Sequence, residues 1–171
     1  GEVIIVTGTR VAERSVLDTA VAVDVLPVED LEKGGVSEIN QALSVNLPSF
    51  NFPRPALNDG TDTIRPATLR GLAPDQTLVL VNSKRRHASA LVNVNGSIGR
   101  GSSAVDLNTI PTGAIGAIEV LRDGASAQYG SDAIAGVINV RLREANSGGS
   151  VSASLLRSPL WIRSARMPWR P

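Results

Sequence analysis

The sequence predicts an α+β domain, in which a small mixed β-sheet of about four strands is combined with short helices and long loops. Three observations lead to this fold class. Apolar and β-branched runs of strand length recur along the chain, short stretches with helical apolar spacing alternate with them, and clusters of Gly, Pro, Asn, Asp and Ser separate the two. The clearest predicted strands are residues 3–7, 21–26, 77–81, 115–121 (entered through a helical turn) and 137–142.

Two short helices are predicted between the second and third of these strands. The first covers residues 28–33, after a proline and before a pair of glycines that stop it. Ser37 is suited to cap the second helix, in which Ile39, Ala42 and Leu43 share one face.

Loops account for most of the remaining sequence. Residues 46–63 contain several prolines and many Asn, Asp and Ser residues, and residues 84–104 end in a run rich in Gly and Ser. A tight turn is predicted over residues 70–76. The segment Lys84-Arg85-Arg86-His87 is basic, but it has no interleaved aromatic residues, so it is interpreted as a hydrated strand end.

Composition and charge exclude several classes of function. The formal net charge is +1, which gives no electrostatic footprint for nucleic acid. The chain has no cysteine, and no apolar run approaches the ~18–20 residues that a membrane helix needs. Aromatic residues make up 3% of the chain, too few for the aromatic girdles of a membrane barrel wall. We therefore predict a globular domain that binds no nucleic acid.

The two ends of the chain suggest a piece of a longer protein. The chain begins at Gly1 without a leader-like segment, and Met167 is the only methionine. Residues 147–155 begin an alternating strand pattern, whereas residues 156–171 combine prolines, arginines and both tryptophans with no regular period. We expect this tail to be non-native or frameshifted.

An ordered series of motifs occupies the last third of the domain. It comprises Ile110-Pro111, Ile118-Glu119-Val120, Arg122-Asp123-Gly124, Ser126-Ala127-Gln128-Tyr129-Gly130-Ser131 and Gly136-Val137-Ile138-Asn139. A second match precedes it, in Leu69-Arg70-Gly71 and the apolar strand that follows. The series closely resembles the plug signature of TonB-dependent outer-membrane receptors. The likeness spans roughly residues 2–150 and is specific in both order and spacing.

The resemblance implies a plug domain that fills the lumen of a β-barrel belonging to the same receptor. Arginines at the positions of Arg70 and Arg122 pair, in this family, with carboxylates of the inner barrel wall and help to seat the plug. The remaining signature positions are Gly71, Glu119, Gly124, Tyr129, Gly130, Gly136 and Asn139. Asp123-Gly124 suits a turn with positive φ, and the other two late glycines, Gly130 and Gly136, suit close backbone approach.

The amino terminus is similar to a TonB box, the extended segment recognised by the energy-coupling protein TonB. A β-branched strand with a free edge can be captured by strand addition, in which main-chain hydrogen bonds bear the load. An ordinary first strand of the sheet is the alternative interpretation. The predicted TonB-binding residues are Glu2, Val3, Ile4, Ile5, Val6 and Thr7.

Four segments follow from these assignments. Residues 1–9 are the TonB-box-like segment, residues 10–146 are the plug domain, residues 147–155 begin the first barrel strand, and residues 156–171 are the irregular tail. The barrel itself lies outside this sequence. Loops on a rigid scaffold commonly carry binding sites, so loops at residues 50–58 and 88–103 are candidates for contact with ligand on the extracellular side. Solvated connectors are the alternative interpretation of both loops.

The predicted function is gating of an outer-membrane transporter for a scarce nutrient, such as a siderophore–iron complex, cobalamin or an oligosaccharide. The partners implied are TonB, the barrel and the nutrient, with the amino terminus in the periplasm of a Gram-negative bacterium. We predict no catalytic residues, no metal ligands and no cofactor, because His87 has no suitably spaced nucleophile and no Walker motif or nucleophile elbow is present. A stand-alone periplasmic module that binds a ligand or TonB is the alternative.

Overall fold

A computed structural model describes residues 4–5, 14–15, 22–27, 38–52, 60, 62–94, 99–123 and 125–144. Nine strands lie within these ranges: β1 (Ile4–Ile5), β2 (Arg14–Ser15), β3 (Val23–Pro27), β4 (Phe50–Asn51), β5 (Thr68–Leu69), β6 (Thr77–Val81), β7 (Lys84–Arg85), β8 (Ile115–Leu121) and β9 (Gly136–Leu142). The helices are α1 (Ile39–Asn46) and α2 (Ala125–Tyr129). Four 3-10 turns accompany them, at Pro74–Gln76, Leu107–Thr109, Thr112–Ala114 and Ser131–Ala133.

The main sheet has five strands in the order β3-β8-β9-β6-β7. β6 and β9 run parallel, with Thr77 opposite Gly136, and the other neighbours are antiparallel. The predicted mixed sheet is therefore confirmed. Two small antiparallel pairs, β1 with β2 and β4 with β5, complete the described strands.

The fifth strand of the sheet, β7, falls within a segment predicted to be loop. Asn82 and Ser83 form a two-residue turn that pairs Val81 with Lys84, and their φ angles are 47° and 64°. Positive φ at both central residues is the geometry of the hairpin turn that matches the twist of its strands. The charged, exposed side chains of Lys84 and Arg85 give no apolar strand pattern, so the sequence pattern does not indicate this pairing.

Helix α1 confirms the second predicted helix, but its cap differs from the expectation. Glu38, rather than Ser37, is the N-cap residue, with φ −110° and ψ 133°, and no side chain caps the helix. At the other end, the Leu47 amide donates to the Leu43 carbonyl at 2.8 Å. Ser37 and the predicted helix over residues 28–33 lie outside the described residues. Neither α1 nor α2, the helices of the described part, is long and apolar enough to cross a membrane.

Apolar side chains cover both faces of the main sheet, because successive side chains of its apolar strands point to opposite faces. On one face α1 and the Leu107–Thr109 turn pack over the sheet; its buried members include Ile39, Leu43, Leu107, Val79, Ile118, Val120, Ile138 and Val140. On the other face α2 and the Ser131–Ala133 turn pack over a smaller cluster, formed by Val23, Leu78, Leu80, Leu121, Ala125, Ala133 and Val137. The main sheet is therefore the middle layer of the domain. Packing on both of its faces holds in place the residues at the ends of its strands.

Candidate functional site

Arg70 and Arg122 meet at one end of the main sheet, where β8 ends and β3, β6 and β9 begin. Arg70 lies in the turn after β5, and its Nη1 donates to the Arg122 carbonyl and to Asp123 Oδ1, both at 2.9 Å. Its backbone is also fixed, because the Arg70 amide donates to the Ser49 carbonyl at 2.8 Å. Two arginines that are 52 positions apart in the chain are therefore held side by side.

Arg122 is held from the opposite side by Asp24 of β3. Arg122 Nη2 donates to Asp24 Oδ1 at 3.1 Å, and Nε lies 2.8 Å from Oδ2. The Nε contact is an ion pair whose N–H direction is poor for a hydrogen bond. We call Arg70, Asp123, Arg122 and Asp24 the arginine cluster; its two positive and two negative charges balance.

The arginine cluster is half-exposed. The side chains of Arg70 and Arg122 retain 45% and 40% of their accessible surface, and those of Asp123 and Asp24 retain 70% and 32%. Arg70 also has a φ of 57°, an uncommon conformation for a residue with a side chain. Guanidinium groups at such a surface present planar forks of N–H donors that suit a carboxylate.

Two other signature residues lie in the interior. The side chains of Glu119 and Asn139 are both fully buried and lie opposite each other on β8 and β9. Asn139 Nδ2 donates to Glu119 Oε2 at 3.2 Å, Asn139 Oδ1 accepts from the Ser83 amide at 3.0 Å, and Arg141 Nη1 lies 3.4 Å from Glu119 Oε1. These contacts join β8, β9 and the turn between β6 and β7 and satisfy buried polar groups, so this pair stabilises the sheet.

The signature glycines have different local roles. A Cβ at Gly136 would lie 2.5 Å from the Leu121 carbonyl oxygen, which confirms the expected close approach. Gly130 has open space around its Cα, so the expectation of close approach is wrong there; its φ of 93° is what requires glycine. Gly71 follows Arg70 with a φ of 71°, and Gly124 lies outside the described residues.

The basic segment at β7 is partly paired. Arg85 forms an ion pair with Asp132, and its Nη2 donates to the Tyr129 carbonyl at 2.9 Å, which ties β7 to the connection between β8 and β9. Arg86 Nη2 donates to Thr109 Oγ1 at 3.3 Å. Lys84 and His87 are exposed. The segment is therefore mostly exposed, with Arg85 as its anchored member.

The TonB-box-like segment contributes β1 to a two-stranded sheet. Ile4 lies opposite Ser15 and Ile5 opposite Arg14 in antiparallel register. The other predicted TonB-binding residues, Glu2, Val3, Val6 and Thr7, lie outside the described residues. The extended backbone expected at Ile4 and Ile5 is present, and β2 occupies one of its two edges.

The two candidate ligand loops contrast in exposure. Phe50 is 4% exposed and belongs to the core, so it is unsuited to contact a ligand; residues 53–58 lie outside the described residues. In the second loop Val92 and Val94 are exposed while Asn93 between them is buried. Among the described residues no group of three His, Cys, Asp or Glu side chains is arranged to hold a metal ion.

Sequence reasoning missed the partners of the signature residues. Asp123 is adjacent to Arg122 and was assigned to a turn, although its carboxylate is also within reach of Arg70. Asp24 lies 98 positions from Arg122, and no local pattern connects them. Arg141 falls within a predicted strand, but only the register of β8 and β9 places it beside Glu119.

Comparisons with known proteins agree on one family. The model of the TonB-dependent Receptor Plug Domain matches residues 15–137. The chain is 33% identical over 139 residues to a probable TonB-dependent siderophore receptor, PirA, of Acinetobacter baumannii, covering 81% of this chain and 18% of that receptor. It is 30% identical over 156 residues to the vitamin B12 transporter BtuB of Vibrio cholerae, covering 90% of this chain and 23% of that transporter.

A solved structure shows the same likeness. The crystal structure of the siderophore receptor PirA from Acinetobacter baumannii aligns with a TM-score of 0.51 and 31% identity, over 71% of this chain and 17% of that one. The chain therefore spans about one fifth of the length of the relatives it matches. The family match over residues 15–137 covers the main sheet from β3 to the start of β9, together with Arg70 and Arg122.

Proposed function

Because the chain belongs to the family of TonB-dependent receptor plug domains, we propose that it closes the lumen of an outer-membrane β-barrel and that TonB moves it to admit a nutrient. The observation that carries this proposal is the family match over residues 15–137, which contains four strands of the main sheet, the start of β9 and the arginine cluster. The role is one of gating, without catalysis. The barrel would be that of the same receptor.

Contact with the barrel is assigned to the arginine cluster. Arg70 and Arg122 are fixed in position yet remain about half-exposed, and each has guanidinium donors to spare. Inside a polar lumen such groups would meet carboxylates of the barrel wall in a partly dehydrated space, where a charge-assisted pair is stronger than in water. Seating of the plug would follow from these pairs.

Coupling to TonB is assigned to β1. Its backbone is extended, and within the described residues only its edge toward β2 is paired. A strand of TonB could add to the second edge by main-chain hydrogen bonds, which depend little on side-chain identity. The amino terminus would then lie on the periplasmic side of the outer membrane of a Gram-negative bacterium.

The transported nutrient belongs to a small range of classes. The relatives are named as siderophore receptors and as a vitamin B12 transporter. We propose a siderophore–iron complex or cobalamin as the cargo, with an oligosaccharide as a further member of the range. Among described residues, the exposed Val92 and Val94 are the candidates for its contact.

The test measures binding of the 171-residue chain to the purified C-terminal domain of TonB by titration calorimetry. We expect Ile5→Pro to weaken binding at least tenfold, because proline removes a backbone N–H from β1 and from any ladder that extends it. Ile5→Val keeps the backbone donor and a β-branched side chain, so it is the matched control and should change the affinity less than twofold.

Two results would count against the proposal. Absence of binding by the parent chain would contradict coupling through TonB, and equal loss in both variants would mean that the Ile5 side chain is recognised, against strand addition. Binding of a ferric siderophore or cobalamin by the purified chain alone would instead favour the stand-alone periplasmic module.

A further inference from the structure

The two aspartates of the arginine cluster contact different sides of the two guanidinium groups. Asp123 accepts from Nη1 of Arg70, whereas Asp24 faces Nη2 and Nε of Arg122. Arg70 therefore keeps its Nε–Nη2 edge, and Arg122 keeps its terminal Nη1, without a partner in the part of the chain that the structure describes. Each aspartate thus leaves donors of its arginine available to another carboxylate.

We infer that Asp24 and Asp123 are positioning residues, which hold Arg122 and Arg70 in the orientation that receives carboxylates of the barrel wall. A free arginine side chain has several rotatable bonds, and ordering it on binding costs conformational entropy. Side chains already ordered within the plug avoid most of that cost. The role of the barrel in this inference rests on the proposed function; the ordering of the guanidinium groups does not.

Three observations separate this role from a chance surface contact. The Arg70 guanidinium is bound by the main-chain carbonyl of Arg122 as well as by Asp123, so it is fixed relative to the backbone that carries Arg122. Arg70 adopts a positive φ, a conformation that costs energy and persists only where surrounding contacts determine it. Asp24 belongs to β3 and is paired with Arg122 across the sheet end, although 98 positions separate them.

The two arginines differ in what secures them. Asp123 adjoins Arg122 in sequence, so the support of Arg70 comes from the end of β8 itself. The support of Arg122 comes from β3, which within the described residues pairs with β8 alone. The orientation of Arg122 therefore depends on β3 remaining in the sheet, and that of Arg70 does not.

The experiment records ¹⁵N relaxation of the arginine Nε–Hε groups in the full 171-residue chain. In Asp24→Asn we expect the order parameter of Arg122 to fall from above about 0.8 to below about 0.6, and in Asp123→Asn the same fall at Arg70. Asn keeps the size of Asp but removes the charge that strengthens the bond. Asp24→Glu restores the charge and should recover part of the order at Arg122.

Asp132→Asn is the matched control. Asp132 forms an ion pair with Arg85 that is similarly exposed and lies outside the arginine cluster. This variant should loosen Arg85 and leave Arg70 and Arg122 unchanged. Urea unfolding of every variant gives its stability, so that a global loss of folding is distinguished from a local loss of order; if Asp24→Asn does not fold, Asp123→Asn decides through Arg70.

A second readout uses glutarate, a soluble dicarboxylate, as the probe for the carboxylates of a barrel wall. We expect the two cluster variants to bind glutarate at least threefold more weakly at the arginine they release, measured from Nε–Hε shifts at low ionic strength. Unchanged order of the guanidinium groups, or tighter glutarate binding in the variants, would overturn the inference, the latter because the aspartates would then be competitors. None of these outcomes depends on TonB binding.

Discussion

Gly136 begins β9 at the place where the end of β8 passes closest to it. Its φ is 142°, and an added Cβ would lie 2.5 Å from the Leu121 carbonyl oxygen and 3.0 Å from Leu69 Cδ1. Since the nearest atom belongs to the backbone of a central strand, it cannot move without disturbing the pairing of β8 with β9. Glycine is therefore required here on both steric and conformational grounds.

We expect Gly136→Ala to lower the free energy of unfolding by roughly 2–4 kcal/mol, because it adds a backbone clash to a disallowed φ. Urea denaturation monitored by circular dichroism measures the change. Gly113→Ala is the control: a Cβ there meets nothing within 4 Å, so its effect should be under about 0.5 kcal/mol. Equal effects of the two substitutions would contradict the steric account.

Residue identities were easier to predict than their contacts. Glu119 and Asn139 stood out in the sequence as signature positions, but their burial and mutual hydrogen bond depend on the register of β8 and β9. Asn139 Oδ1 accepts a hydrogen bond from the Ser83 amide, which belongs to a turn 56 positions away in the chain. Such contacts follow from tertiary structure, which local sequence patterns do not encode.

The hairpin of β6 and β7 depends on two residues that carry side chains at positive φ. Asn82 gains a compensating contact, because its Oδ1 accepts from the Leu142 amide at 2.9 Å. Ser83 contributes only its backbone amide, to Asn139. The turn therefore holds the end of β9 as well as β7, although Ser83 is not the residue best suited to its conformation.

We expect Ser83→Gly to raise the free energy of unfolding by about 0.5–1 kcal/mol, since relief of a left-handed conformation exceeds the entropy that glycine adds to the unfolded chain. The same exchange at the exposed Ser126, within α2, should lower it by a similar amount. Thermal unfolding of both variants compares them. Destabilisation by Ser83→Gly would show that the serine side chain has a role in the turn.

At the scale of elements, the sequence predicted apolar structure well and polar structure poorly. The strands β6 and β9 and the apolar face of α1 follow from β-branched runs and helical spacing, and the structure contains them. The strand β7 was missed, since Lys84 and Arg85 pair through the turn before them. Glu38, rather than the expected Ser37, is the N-cap residue of α1. Its backbone is extended, and no side chain makes a capping hydrogen bond.

Strand order gives the whole molecule a gradient of protection. β9 is flanked by β8 and β6, whereas β3 pairs with β8 alone among the described strands and β7 has only two residues. We expect amides of residues 137–140 to exchange with solvent at least tenfold more slowly than those of β3 and β7. Hydrogen exchange followed by NMR measures this, with α1 amides as an internal reference. Uniform protection across the sheet would mean that it opens only as one unit.

The strand order itself was beyond prediction from the sequence. The class of a mixed sheet with short helices follows from the alternation of patterns. Parallel pairing of β6 with β9, across a separation of about sixty residues, depends on which apolar faces α1 and α2 cover. Several orders would satisfy the same strand patterns, and packing selects among them.

The position of β8 and β9 at the centre of the sheet has a consequence for synthesis. The chain is made from the amino terminus, so β3 and β6 exist long before the strands that separate them. Until residues 115–142 have left the ribosome, β3 lacks its neighbour in the main sheet, and β6 has only the short hairpin with β7. Contacts between residues so far apart in the sequence form slowly. Until they form, the exposed strand edges make the chain prone to aggregation. The nascent chain should therefore depend on chaperone capture until its last third has been translated.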